Sequence, residues 1–436
     1  MNKRLVKVFL ICLLIGGLYA DRKGFALPVF ARKYNTTCQT CHTAFPNLNP
    51  FGEAFKRNGF RFPGEGTDFD SADQMPLGDE ADAKKFPKAV WPGALPKTVP
   101  VAVTAVSEFA SVPKDDATNQ KAQFQTLGGD FGLFSAGTMG KHFGFFGGVE
   151  LEANVDLDTG EKTWEVGVDR AYLVINPLHD HSSLVIRAGS FEPHLLNVSE
   201  HRSLLGGYFA LNDETIGDNK FTLEGSQQGI EFGGVLAKGR LGYTASVVEG
   251  TDNRYNNSKD FYGRLEYKFG GLRLDGVRDK HFSTVKHPWR DDSVMIGAFG
   301  YQGYATLASD PAAPPVVTQK DRFNIFGGDV TLNYSNFITT LAYFRNQNNS
   351  PTIGSTASVG TNQFLADINY VWYWFIPGIR YEVLDNALAS DQRITVGSTF
   401  LVRPNIKASL LGSLFKTTGG SFTDNPEIHA VLAMAF

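Results

Sequence analysis

From Val99 to Phe436 the chain alternates apolar and polar residues with a period of two, segment after segment, and no other feature constrains the fold as strongly. Phe261, Leu265, Tyr267 and Phe269 alternate with Tyr262, Arg264, Glu266 and Lys268. Val149 and Leu151 alternate with Glu150 and Glu152, and Leu272 and Leu274 with Arg273 and Asp275. Successive side chains of a strand point to opposite faces, so each series presents one apolar and one charged face. In a soluble β-sandwich the apolar face would point inward. Repeated Phe and Tyr at the segment ends instead suit the interfacial girdles of a membrane barrel, with lipid outside and a polar lumen inside.

Composition bears on this choice. The chain is 42% hydrophobic and 20% charged, with 46 Gly, 35 Phe and 15 Tyr, too polar for a helical membrane protein and rich in aromatics and glycine. Past the first residues there is no apolar run long enough for a transmembrane helix. A net charge of −4 argues against a nucleic-acid partner.

Connection lengths allow the strands to be counted. Short ones at Gly140-Lys141-His142, Pro177 to Ser182, Ala237 to Gly239, Gly270-Gly271, Ser335-Asn336, around Trp374 and Arg403 to Asn405 alternate with long ones, as periplasmic turns and external loops do. With Gly270-Gly271 as a turn, Val294 to Ala305 breaks the parity. Treating Asp279 to Asp321 as one external loop restores it and predicts a transmembrane antiparallel β-barrel of about 16 strands. Ile428, Ala430, Leu432, Met434 and Phe436 form the alternating last strand.

The N-terminus reads differently. Asn2-Lys3-Arg4 and Lys7 precede the apolar run Val8 to Leu18, the n-region and h-region of a secretory signal, with cleavage expected after Ala26. Cys12 lies within that run and would be lost with it. Nine of the 20 prolines fall in the first 100 residues, and Pro87, Pro92, Pro96 and Pro100 exclude regular helix or central strand there. The expected division is a signal peptide at 1–26, a small domain at 27–97 and the barrel at 98–436.

That small domain contains Cys38-Gln39-Thr40-Cys41-His42, the pattern for covalent attachment of haem c, with Cys38 and Cys41 bonded to the vinyl groups and His42 as proximal iron ligand. A zinc site would need two further ligands, and outside the leader there is no other cysteine. A thioredoxin-like pair would sit in a βαβ unit, not among Pro, Asn and Thr. A structural disulfide or a chance match is the remaining alternative. Phe30, Phe45, Phe51, Phe55 and Phe60 offer aromatic surface for a porphyrin; Arg32, Lys33, Lys56 and Arg57 are candidates for its propionates, or solvated surface charges. Met75 is the one methionine of this domain and the candidate distal ligand, or a packed or exposed thioether. Bis-histidine ligation would instead require a barrel residue such as His142 or His194. The pattern of sides puts His142, His179 and His181 on periplasmic turns and His194, His201, His281 and His287 on external loops. His179-Asp180-His181 makes a poor chelate and reads as a solvated turn.

The run Phe30-Ala31-Arg32-Lys33, Cys38 to His42, Thr43-Ala44-Phe45-Pro46, Phe51-Gly52-Glu53-Ala54-Phe55-Lys56 and Asn58-Gly59-Phe60 resembles the N-terminal domain of the fused outer-membrane cytochrome–porin family, which includes the outer-membrane iron oxidases of iron-oxidising bacteria. The close match covers about seventy of the 436 residues. The resemblance implies a bacterial outer-membrane protein that takes electrons from an extracellular donor, foremost Fe(II), and passes them through one haem c to a periplasmic carrier such as a soluble cytochrome. If it is an enzyme, it is an oxidoreductase. Two other readings stay open: a solute porin with a cytochrome plug or redox gate, and electron export to an external acceptor. The hydrocarbon core is about 30 Å thick, too far for one electron hop, so the cytochrome either sits in the lumen or receives a small donor admitted by the barrel. The short, proline-stiffened Val90 to Pro100 favours the plug. Acidic and histidine-bearing loops around Asp213, Glu214 and Asp218, and from Asp279 to Asp292, are candidate donor-capture segments.

Overall fold

The computed structural model describes residues 29–34, 36–63, 74–76, 80–85, 94–97, 99–111, 123–140, 142–155, 162–178, 182–205, 211, 215–250, 258–277, 286–308, 318–387, 390–418 and 426–436. The leader with Cys12, His179 to His181, Asp213, Glu214, Asp279 and His281 lie outside them. Short elements come first: α1 (Val29–Lys33), β1 (His42–Ala44), β2 (Asn47–Leu48), α2 (Pro50–Arg57), β3 (Gln74–Pro76), α3 (Glu80–Lys85) and β4 (Ala94–Pro96).

The sixteen strands that follow are β5 (Val101–Ser111), β6 (Gln123–Met139), β7 (Phe143–Val155), β8 (Lys162–Ile175), β9 (Val185–Phe191), β10 (Gln227–Leu236), β11 (Leu241–Val248), β12 (Asp260–Gly270), β13 (Ser293–Ala308), β14 (Thr318–Tyr334), β15 (Phe337–Asn348), β16 (Val359–Tyr370), β17 (Phe375–Asn386), β18 (Ser390–Arg403), β19 (Ile406–Thr418) and β20 (Glu427–Ala435). Each pairs antiparallel with its neighbour in sequence, and β20 pairs with β5 to close the barrel. Closure leaves no unpaired strand edge in the wall.

Side-chain exposure matches the alternation. On β12, Phe261 is 50% and Leu265 59% exposed, whereas Arg264 at 2% and Glu266 at 3% are buried on the luminal side. Exposed Phe269, Tyr334, Phe337, Trp372, Tyr373 and Trp374 gather at one end of the wall, the end of short connections, as an aromatic girdle does. That end is periplasmic by connection length, and it receives both the start of β5 and the end of β20.

One part of the strand count is overturned. Val294 to Ala305 lies within spanning strand β13, in register with β14 along its length and with β12 as far as Gln302. Leu272 and Leu274 belong to no strand; they are buried in the β12–β13 connector, with Leu274 N bonded to Gly239 O of the adjacent turn at 2.8 Å. One strand gained and one lost leave the total unchanged. The described parts of this connector, 271–277 and 286–292, therefore lie at the periplasmic end, and so does His287, packed against Trp289 and Tyr373 rather than on an external loop as expected.

The lumen is occupied from both ends. The β9–β10 connector joins the external ends of its strands, but its described residues, 192–205, 211 and 215–226, fold inward: Leu195, Leu196, Val198, Leu211 and Phe221 are buried. Polar interior groups of the wall hold it. Arg264 Nη1 donates to Leu195 O at 2.6 Å, Thr399 Oγ1 to Leu204 O at 2.8 Å, and Asn219 Nδ2 to Asp321 at 2.9 Å. From the periplasmic end enters the segment 29–63, and Tyr34, Phe55 and Phe60 share a buried cluster with Tyr172, Val174 and Phe191 of the wall.

Candidate functional site: a thiol–imidazole turn enclosed by the barrel

Local sequence builds this turn. Asn49 caps α2, its Oδ1 accepting from Phe51 N at 3.0 Å and Gly52 N at 2.9 Å, with Pro50 in the first turn where its missing N–H costs nothing. The same side chain donates from Nδ2 to Gln39 O and Thr40 O at 3.0 and 3.1 Å, so one amide ties the helix to the turn Cys38–Thr40. Cys41 O accepts from Asn49 N at 2.9 Å. It lies so close to Gly52 that a Cβ there would fall 2.0 Å from it, so only glycine allows this approach. Phe51, Ala54 and Phe55 form the buried face of α2, and Lys56 and Arg57 occupy its last turn.

Cys38, Cys41 and His42 thus share one turn. Both cysteines are free thiols, Cys38 buried and Cys41 half-buried. Burial pushes Cys38 up, and burial together with the neighbouring Cys38 pushes Cys41 up to about 12. A redox dithiol needs the opposite shift, so these thiols are poor candidates for disulfide exchange. His42 Nδ1 lies 3.1 Å from Pro46 O, and since a carbonyl only accepts, Nδ1 carries the proton and Nε2 the lone pair. Burial lowers the pKa of His42 and favours the neutral ring.

The four cations expected near this turn mostly serve to seat the segment. Arg32 donates to Val99 O and Val101 O at the start of β5, Lys33 to Thr138 Oγ1 at 2.5 Å, and Arg57 pairs with Glu266 of β12 at 2.5 Å. Among the described residues Lys56 forms no ion pair; burial and then the nearby Arg202 lower its pKa to about 8. The aromatic residues form a packed set: Phe30 stacks on Phe60 at 5.1 Å and meets Phe55 edge-on at 4.9 Å, while Phe45 lies 5.5 Å from the His42 ring. Met75 sits in β3, paired with Leu95 of β4, and its side chain is 49% exposed. His142 Nδ1 donates to Asn176 O at 2.8 Å in a periplasmic turn. His194 is in the inward connector, Nε2 3.1 Å from Asn197 Oδ1, with its pKa lowered by burial and by Arg202.

Seating continues at the C-terminal end of the segment. Arg61 donates to Gly140 O and Phe143 O at 3.1 and 2.8 Å, Asn58 Nδ2 to Asp275 O at 3.1 Å, and Asn176 Nδ2 to Asn58 O at 3.2 Å. Three periplasmic connections therefore grip it. Inside the lumen it meets the inward connector. Asn47 Nδ2 donates to Arg202 O at 2.6 Å, and Arg202 faces Glu53 at 3.8 Å and Glu192 at 3.2 Å. Burial alone would raise the pKa of Glu192, but Arg202 and His201 outweigh it and hold the carboxyl well below its usual range.

The sequence reading missed Asn49, Gly52 and Arg202. For Asn49 the signal was there, an Asn-Pro step followed by an acidic residue at Glu53, which marks a helix start; for Gly52 there was none, because the Cys41 carbonyl that crowds it is brought there by the fold. For Arg202 there was none, because its partners lie in distant segments.

No known family model matches the chain, and no curated protein matches it. Solved structures do. The chain resembles outer-membrane-expressed OmpT of Vibrio cholerae with 10% identity and a TM-score of 0.50, over 78% of this chain and 98% of that one. It also resembles Salmonella typhi OmpF in complex with daunomycin, at 14% identity and a TM-score of 0.51, over 77% of this chain and 97% of that one. These likenesses concern the fold: a porin-like, sixteen-stranded barrel of the bacterial outer membrane, in keeping with the apolar outer wall and aromatic girdle.

Proposed function

We propose that the chain is an outer-membrane electron-transfer protein whose Cys38–His42 turn holds one covalent haem c inside the barrel. The observation that supports this most directly is the donor set: two thiols on one turn, and beside them an imidazole whose Nδ1 is fixed by Pro46 O so that Nε2 is left to bind iron. The residues present fit the group. Cys38 and Cys41 would hold it through thioether bonds and His42 through the iron, with Met75 the candidate for the distal position. Bound there, haem supplies a one-electron couple.

The protein's own residues do the rest. Arg32, Arg57 and Arg61 anchor the segment to the wall, and the inward connector covers it from the external side. An external donor, with Fe(II) as the proposed substrate, gives up one electron and becomes Fe(III); a periplasmic carrier gains that electron. No nucleophile or acid–base pair is needed for this chemistry.

Expression with the haem-attachment machinery tests the reading. One covalent haem per chain is expected, and Cys38→Ala with Cys41→Ala should abolish it; covalent haem that survives loss of both cysteines would refute the assignment. A redox titration followed by mixing with Fe(II) then tests the donor.

The porin-like fold and the contact of Arg202 with Glu53 and Asn47 favour a second reading, a channel closed by the N-terminal segment. In that case Arg202→Ala should raise ion conductance in planar bilayers. Conductance that stays unchanged while Fe(II) reduces the protein would leave electron transfer as the function.

A further inference from the structure

Cations collect around the mouth through which the Cys38–His42 segment enters. The β10–β11 turn contributes Lys238 and Arg240, the β12–β13 connector Arg273, Lys286 and Arg290, and the β18–β19 turn Arg403. Lys238, Lys286, Arg290 and Arg403 are exposed. Among the described residues of the same connections only three carboxylates occur, and each has a local task. Asp275 pairs with Arg273 at 2.5 Å, Asp291 with Lys268 of the lumen at 2.6 Å, and Asp292 accepts from Ser335 N at 2.7 Å. The rim therefore keeps a positive excess.

This rim adjoins the enclosed segment. Asp275 O receives the Asn58 side chain, and Gly276 lies against Pro63 and Ala54 so tightly that a Cβ would fall 2.5 Å from the proline ring. Like charges gathered beside one small surface steer association with an oppositely charged protein and fix its orientation. A lipid surface would be served by the outward girdle, where the exposed groups are Trp372, Tyr373 and Trp374.

We propose that the basic rim is the docking surface for an acidic soluble electron-carrier protein, seated over the Cys38–His42 segment from the periplasm. This rests on the reading that the segment exchanges electrons. A carrier presenting a carboxylate-rich face would gain in association rate at low ionic strength and lose that gain as salt screens the rim.

The test uses the full chain in nanodiscs and two soluble monohaem cytochromes of similar size, one acidic and one basic, as probes. Binding is followed by interferometry across a salt series, and electron exchange separately by stopped-flow absorbance. The acidic probe should bind at low salt and weaken as salt rises. Lys238→Glu, Lys286→Glu and Arg403→Glu together should weaken it by roughly tenfold or more. Lys220→Glu with Lys320→Glu, exposed lysines toward the opposite end, should leave it unchanged. Equal binding of both probes, or indifference to the triple reversal, overturns the proposal; so does binding that follows the anionic lipid content of the nanodisc. If the acidic probe docks as described yet no electron passes, the redox reading fails and the rim stands. Electron exchange that ignores probe charge fails the rim and leaves the redox reading in place.

Discussion

The barrel wall and the segment it encloses are held by opposite means. In the wall, every strand repeats the same ladder and the same inward–outward choice, so a single side chain matters little to the architecture. Residues 29–63 hold only short helices and strands, none of them in the wall's ladder, and their position depends on individual side chains that reach backbone atoms: Asn49 to the thiol turn, Arg61 to the β6–β7 turn, Asn58 to the β12–β13 connector. A repeating wall tolerates local change; an individually fastened plug is sensitive at each fastening. The two should therefore come apart under mutation, the plug failing while the wall stays folded.

Gly52→Val should separate them most completely. The new Cβ would meet Cys41 O at 2.0 Å, and that carbonyl cannot retreat without losing its bond from Asn49 N. The clash is with backbone, so the cost should reach the upper end of overpacking penalties, about 3 kcal/mol or more. Hydrogen exchange read by mass spectrometry should show residues 29–63 losing protection while the strands keep theirs. Equal loss in both regions would mean that wall and plug form one cooperative unit.

The same contrast explains what could be read from sequence. On β12 the face of every residue was legible, because Phe261 to Lys268 repeats one rule and the wall repeats it again. At Leu272 and Leu274 that rule misled. Two apolar residues spaced by two suit a short strand or a connector equally well, and here the positive φ of Gly270 and Gly271 turns the chain out of the ladder. Having counted a strand there, parity then removed β13, whose own pattern was sound. At the site, Cys38, Cys41 and His42 were legible because their spacing is itself the chemistry. The duties of Arg32, Lys33 and Arg57 were not, since a cation looks the same in sequence whether its partner is a propionate, a carbonyl of β5 or Glu266.

Arg57→Ala sharpens the comparison at the one fastening that enters the wall's interior network. Arg57 pairs with Glu266, which also contacts Arg264, and Arg264 in turn binds Asp329 through both Nη atoms. Removing Arg57 leaves Glu266 one partner short but not bare. The expected penalty is about 1–3 kcal/mol, smaller than that of the clash at Gly52. Exchange should quicken through α2 first, with β12 unaffected because Arg264 still holds Glu266. Faster exchange in β12 as well would show that the plug supports the wall.

The smallest effect, and the one with a distinctive pH dependence, belongs to Lys56. This half-buried cation forms no ion pair among the described residues, and burial and Arg202 lower its pKa to about 8, with Glu53 and Glu192 offsetting part of this. The sign follows from linkage. Undocked, the amine has its ordinary affinity for a proton; docked, it holds the proton less tightly, so the protonated form opposes docking. That opposition is fully present below about pH 8 and fades as pH rises from there toward the ordinary lysine value. Docking should accordingly tighten over that window, seen as slower exchange in residues 50–57 after correction for the intrinsic rate, while protection of the wall stays level. Lys56→Met removes the charge and keeps an apolar stem of similar length. The variant should dock more tightly than the parent at pH 7, lose the pH dependence, and match the parent near the top of the window. A parent plug whose protection does not change across this range would mean that Lys56 finds a counter-charge when docked, and the plug would then be fastened there as firmly as at Arg57.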